Sequence, residues 1–297
     1  MLDVGSPPVL RRQRTILKLF SAAECPVPAT KLQKYVFLLR HETFVGQDPT
    51  FYDFLPYKYG PYSFAAQREI EALTAYGYLA PSGSSLALTT LGLREAMTVD
   101  SDTTHAVHTI VSKYGKKSLK PLLQDVYARY AWYARNSELQ ELVPDGAKEP
   151  KKAPVAVYTI GYEGRSVDGF LNKLLYTGIR RIVDVRANPV SMKYGFAKSS
   201  LSSLAAKVGI GYFHCPELGI PSSRRKQAQT DMDFQKLFND YESQILPSQE
   251  VNAAKVAELM KATPSVLLCM EREAVNCHRG RLATRLAALN NLDVAHL

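Results

Sequence analysis

Apolar residues follow two different rules along the chain, and the rule changes near residue 150. In the first half they recur at helical spacing. Ile16, Leu17 and Phe20 share a face after Arg11, Arg12 and Arg14, and Leu32, Tyr35, Val36 and Leu39 mark a helix with one buried stripe. The aromatic segment Phe51 to Ser63 has Gly60-Pro61 as a turn. Ser63 is placed to cap a helix from Phe64 to Tyr76, which Gly77 ends. Ser85 to Thr89 predicts a short strand, Thr90 caps another helix, and residues 103–135 add more, with Leu122, Val126 and Tyr130 on one face of Leu119–Tyr133. Three helices and a hairpin are the order of a winged helix, a common DNA-binding architecture. Trp132 is expected to pack rather than to stack on a base.

In the second half, short continuous apolar runs alternate with helical periods. Val155–Ile160, Arg181–Val185, Gly211–His214 and Ser265–Cys269 read as buried strands. Between them, Ser166 caps a helix to Tyr176, Leu201–Lys207 makes another, two helices fill 233–262, and the last runs from His278 to about Ala288. The expected fold class is therefore α/β: a mostly parallel sheet with helices on both faces, preceded by a mainly helical, winged-helix-like domain.

Length and composition fit that division. The 297 residues suit roughly two domains, and 46% hydrophobic with 22% charged residues excludes a disordered or fibrous chain. No apolar run is long enough to cross a bilayer, and the start of the chain lacks a signal-peptide pattern, so no membrane partner and a cytoplasmic location are expected. Asp145–Pro154 is polar and bounded by proline, which predicts a linker between a domain over 1–144 and a second over 155–297. Net charge is +9, split +4 and +5 on either side of Pro154. Such a balance suits DNA as a partner, or merely aids solubility. Four cysteines, with Cys25 far from Cys215, Cys269 and Cys277, are not a disulfide framework.

In parallel sheets ligands sit beyond the carboxyl ends of the strands. That rule gathers Gly161-Tyr-Glu-Gly-Arg-Ser166, Asp184-Val-Arg186, His214-Cys-Pro-Glu217, Cys269-Met-Glu271 and Cys277-His-Arg279 at one edge. Asp184, Glu163 and Glu271 can serve as general base or stabilise a sugar cation; the other reading pairs them with Arg186, Arg165 and Arg279 in an ion network. For Asp184 the functional role is preferred, because a charge ending a buried strand is costly without a purpose. His278 is a candidate proton carrier. Arg165, Arg186 and Arg279, with helix N-termini at Ser166 and His278, suit phosphate. Arg224 and Arg225 lie in Ser222–Lys226, read either as a loop contacting a nucleic-acid backbone or as solvated surface. Tyr162 and Tyr194 are candidates to line a pocket for a flipped base. Cys277 sits where a helix begins and is read as a contact, a low-pKa nucleophile or an inert buried thiol. No C-x-x-C pair is present and adjacent Cys-His residues seldom chelate one ion together, so neither metal nor cofactor is expected.

These motifs carry two resemblances. Leu32-Gln-Lys-Tyr-Val-Phe37, Tyr57-Lys-Tyr-Gly-Pro-Tyr-Ser63, Leu73–Leu79 and Leu88-Thr-Thr-Leu-Gly92 are similar to Panacea-type winged-helix modules over about residues 11–97, which implies DNA or partner binding. Tyr158–Ser166, Asp184-Val-Arg-Ala-Asn-Pro189, Glu217-Leu-Gly-Ile-Pro221 and Cys269-x-Glu271…Cys277-His-Arg279 resemble the domain of unknown function 488 family over about 155–290. That likeness implies a fold and a shared pocket. Met192 stands where that family usually has a basic residue, and Lys193 is expected to supply the contact.

The expected function is a DNA-acting enzyme, hydrolysing the N-glycosidic bond of a modified base in the manner of a DNA glycosylase, in defence against foreign DNA. Two alternatives are a non-catalytic, nucleotide-sensing DNA-binding regulator and a nucleotide or phosphodiester hydrolase.

Overall fold

The computed structural model describes residues 8–147 and 152–297, so 148–151 of the expected linker lie outside the described residues. The chain divides into two compact units, Met1–Glu149 and Pro150–Leu297.

The N-terminal unit runs α1 (Arg11–Ala23), β1 (Val27–Pro28), α2 (Ala29–Glu42), β2 (Leu55–Tyr57), β3 (Gly60–Tyr62), α3 (Phe64–Ala75), β4 (Leu79–Ser82), β5 (Ser85–Leu88), α4 (Thr90–Ala96), α5 (Ser101–Tyr114), α6 (Leu119–Arg129) and α7 (Ala131–Ala134). Strands β4 and β5 form an antiparallel hairpin, and β1 adds to its β5 edge. Three helices with this three-stranded wing are the winged-helix arrangement; β2 and β3 form a small hairpin inserted before α3. Its turn holds Gly60 at φ 85°, in the left-handed region that favours glycine. Ser63 caps α3 by accepting from the Ala66 amide, as its position predicts. Helix α6 ends four residues before the expected Tyr133, because Tyr130 leaves the helical region at φ −128°, ψ 54°.

The C-terminal unit runs β6 (Val157–Gly161), α8 (Val167–Thr177), β7 (Arg181–Asp184), α9 (Lys198–Lys207), β8 (Gly211–His214), α10 (Ser222–Gln227), α11 (Asp231–Asp240), a π-helical turn (Tyr241–Ile245), α12 (Leu246–Ser248), α13 (Glu250–Ala262), β9 (Ser265–Cys269), α14 (His278–Asn290) and β10 (Val294–His296). All five strands are parallel, in the order β10-β6-β9-β7-β8. Val157, Val183 and Leu267 join one core with Val256, Leu282 and Leu286 of α13 and α14. At odd offsets from these positions, and so on the opposite face, Ile160, Ile182, Val266 and Leu268 are equally buried, so both faces of the sheet are covered. Two elements differ from expectation. Ser222–Lys226 is helical as α10, not an open loop. Strand β10 is new: at three residues it is too short to show an apolar run, and it forms by pairing with the edge that β6 offers.

Candidate functional site

Strand β9 inserts between β6 and β7, so the carboxyl ends of β6, β9, β7 and β8 are neighbours. The loop after β9 crosses the end of β6 closely. A Cβ on Gly161 would lie 1.8 Å from the Glu271 carbonyl oxygen, so only glycine fits there. The Tyr162 and Glu163 amides continue the ladder by donating to the Cys269 and Met270 carbonyls. Arg279, buried at the start of α14, donates to the Glu271 and Arg272 carbonyls and clasps the loop shut. Glu163 accepts from the Arg272 amide at 3.0 Å. Arg279 and Glu163 thus hold the loop.

Two clusters lie along this edge. The first surrounds Asp184, which is fully buried. Its carboxylate takes Arg186 Nε at 2.8 Å and Nη2 at 2.6 Å, the Arg186 amide at 3.1 Å and the Tyr212 hydroxyl at 2.5 Å. Burial first, then the Asp184 charge, push the Tyr212 hydroxyl well above its ordinary value. The Arg186 guanidinium lies 5.2 Å over the Tyr162 ring, which stacks on Phe196 at 4.4 Å, and its Nη1 is buried without a hydrogen-bond partner. His214 donates from Nε2 to the Arg186 carbonyl and accepts at Nδ1 from Lys198. Asp184 is therefore saturated, and Tyr162 is packing rather than a free base platform. Lys193 Nζ reaches the Tyr162 carbonyl at 3.4 Å, while the neighbouring Met192 points into solvent.

The second cluster faces a cavity of about 560 Å³ lined by Glu271, Cys277, His278, Arg225, Arg281, Phe234 and Phe238, among others. Glu271 pairs with Arg225 and accepts from the Cys269 thiol at 3.2 Å. Burial works against its charged form, but Arg225 and the neighbouring donors outweigh burial and hold the carboxyl down to about 2. His278 Nε2 lies 3.1 Å from the Val185 carbonyl, which can only accept, so Nε2 donates there and Nδ1 faces the two thiols. Nδ1 lies 3.7 Å from Cys269 Sγ and 3.8 Å from Cys277 Sγ. Burial pushes the Cys277 thiol well up, with the Cys269 contact adding to it, so the surroundings do not activate it as a nucleophile.

The edge thus brings together Glu271, His278, Cys277 and Arg225 at the cavity, and Asp184, Arg186 and Tyr162 in a packed neighbour. Arg165 instead reaches the Leu297 carbonyl at 3.1 Å beside β10. Arg224 lines a separate shallow groove with Asp233 and Asp240. Tyr194, half-buried, follows Lys193 in the loop before α9 and is not among the residues lining the cavity. Sequence reasoning missed Phe234, Phe238 and Arg281, whose only signal was their spacing on α11 and α14. Among the described residues no helix is long and apolar enough to cross a membrane. No curated protein matches the chain. Residues 166–286, from the cap of α8 into α14, match the family model described as Domain of unknown function DUF488, the family that the motifs of this unit resemble.

Proposed function

We propose that the C-terminal unit is a hydrolase that cleaves the N-glycosidic bond of a base in DNA, with Glu271 as the carboxylate that stabilises the sugar cation. The observation that carries this reading is the cavity itself. It has the volume of a ligand site, and it joins an ionised carboxylate to Arg225, Arg281 and two phenylalanine rings. The rings offer apolar faces for a base, and the arginines suit phosphate. Glu271, held ionised beside Arg225, stabilises the sugar cation as the C1′–N bond breaks and its electron pair leaves with the base. Water adds its oxygen to C1′, and the proton it loses goes to the departing base. The basic, winged-helix-like N-terminal unit, whose likeness to Panacea-type modules rests on its motifs, would hold the duplex. A role in defence against modified foreign DNA follows from that pairing of modules.

Abasic-site formation on duplexes carrying plain and modified bases tests the reading. Wild-type protein yields abasic sites, and Glu271→Gln lowers the rate by about 100-fold or more. Absence of product from every duplex, or full activity in Glu271→Gln, would sink it. A second reading, hydrolysis of a nucleotide or phosphodiester, is favoured by the Cys269, Cys277 and His278 donors beside the same carboxylate, and would show as phosphate-ester cleavage lost in chelator.

A further inference from the structure

We propose that Cys269, Cys277 and His278 bind a zinc ion whose fourth corner opens toward Glu271 and the cavity. The Sγ and Nδ1 atoms of these three buried residues all lie within 4.8 Å of one another. The two sulfur–nitrogen separations are 3.7 and 3.8 Å. A tetrahedral ion with Zn–S of about 2.3 Å and Zn–N of about 2.0 Å sets its S and N ligands roughly 3.6 Å apart. The two sulfur–nitrogen edges therefore already stand near those of a zinc tetrahedron, and the two sulfurs lie within 4.8 Å of each other.

The surroundings agree. A ligating histidine usually donates its other ring nitrogen to a carbonyl or carboxylate, which fixes the tautomer and ring direction. His278 does so through Nε2 to the Val185 carbonyl, leaving Nδ1 free to ligate. Two thiolates and an imidazole select a soft or borderline ion such as zinc over magnesium or calcium. Adjacency of Cys277 and His278 is no obstacle here. Cys277 is the cap residue, extended at φ −147°, ψ 141°, and His278 opens the helix, so the backbone turns between them and both side chains converge. Cys269 arrives from the end of β9, across the loop that Arg279 clasps.

Glu271 has one oxygen 3.2 Å from Cys269 Sγ, the other paired with Arg225, and it lines the cavity with Cys277 and His278. Three protein ligands with an open corner beside a carboxylate is the pattern of a zinc site that does chemistry rather than one that only staples a fold. This inference rests on the cavity being a hydrolytic site only for the role of the ion, not for its binding.

The test is metal analysis of the untagged full-length chain, purified under reductant after growth with zinc. About one zinc ion per chain is expected. Replacing it with cobalt should give thiolate-to-cobalt charge-transfer absorption and the intense visible bands of tetrahedral geometry. Cys269→Ser and Cys277→Ser lose the ion, whereas Cys25→Ser, altering an exposed cysteine, keeps it. Glu271→Ala keeps the ion with an altered cobalt spectrum; loss of zinc in that variant would overturn the open corner. Metal-free wild-type protein that also fails to bind cobalt, or zinc retained without both thiols, would overturn the site. Circular dichroism guards against misfolded variants, and cobalt titration of wild-type apoprotein gives an answer independent of any substitution. Zinc bound without any hydrolysis would leave the site standing and remove the proposed activity; hydrolysis undiminished in metal-stripped protein would keep the activity and remove the ion's role in it.

Discussion

At the scale of single residues, three carboxylates of similar promise in the sequence have unlike surroundings. Asp184 is sealed against Arg186 and Tyr212, Glu163 holds a loop amide, and Glu271 faces a cavity. Removing one partner of a buried ion pair leaves the other uncompensated, so Asp184→Ala should cost about 3–5 kcal/mol of stability, read by urea denaturation of the C-terminal unit. Stability unchanged in that variant would show that the pair does not anchor the strand end. Lys34 makes a second case. It is fully buried on α2, with its ammonium donating to the Pro61 carbonyl at 2.9 Å, and burial pushes it down to about 7. Between that value and its ordinary value near 10.5 the unfolded chain binds more protons than the folded one, so stability rises with pH across this window. Trp132, the sole tryptophan, lies in the same unit, and its fluorescence should report a urea midpoint that climbs from pH 7 to 10. In Lys34→Met that climb should flatten.

At the scale of elements, the site depends on a loop passing over a strand end. Gly161→Ala would push a methyl group into the Glu271 carbonyl, displacing the segment that carries Glu271 and the Arg279 clasp. Loss of cavity chemistry with a stability cost of about 1–3 kcal/mol is expected, read by thermal melting beside the abasic-site assay. In the winged-helix-like unit, α3 carries Arg68 against Glu69 and Glu71, and Glu69 is tied to Arg12. That helix is a poor polyanion contact. Exposed Lys116 and Lys120, around the junction of α5 and α6, are the better one. If this unit holds DNA as proposed, changing both to Glu should weaken that binding and reduce its salt slope by more than Arg68→Ala does, as measured by fluorescence anisotropy across salt concentrations.

At the scale of the whole molecule, the +9 charge is shared by two units, each with its own core. If one duplex engages both, either unit alone should bind more weakly and with a smaller salt slope than the full chain; equal slopes would show that one unit does all the binding. The sequence by itself determined the change of architecture near residue 150, the parallel strands and the edge at which polar motifs collect. Those are local matters of periodicity, capping and the direction of βα units. It could not rank the polar residues at that edge. Asp184 ends a buried strand and Glu271 follows one by two residues, and only tertiary packing seals one and opens the other. Nor could spacing show Cys269 meeting Cys277 and His278: their approach depends on a loop that crosses β6 at a glycine and on a cap that turns the backbone between two neighbouring residues. Strand β10 was equally hidden, since it forms by pairing with an edge rather than by any pattern of its own. Local order is written in the chain at short range, whereas burial and convergence of donors belong to contacts far apart in sequence.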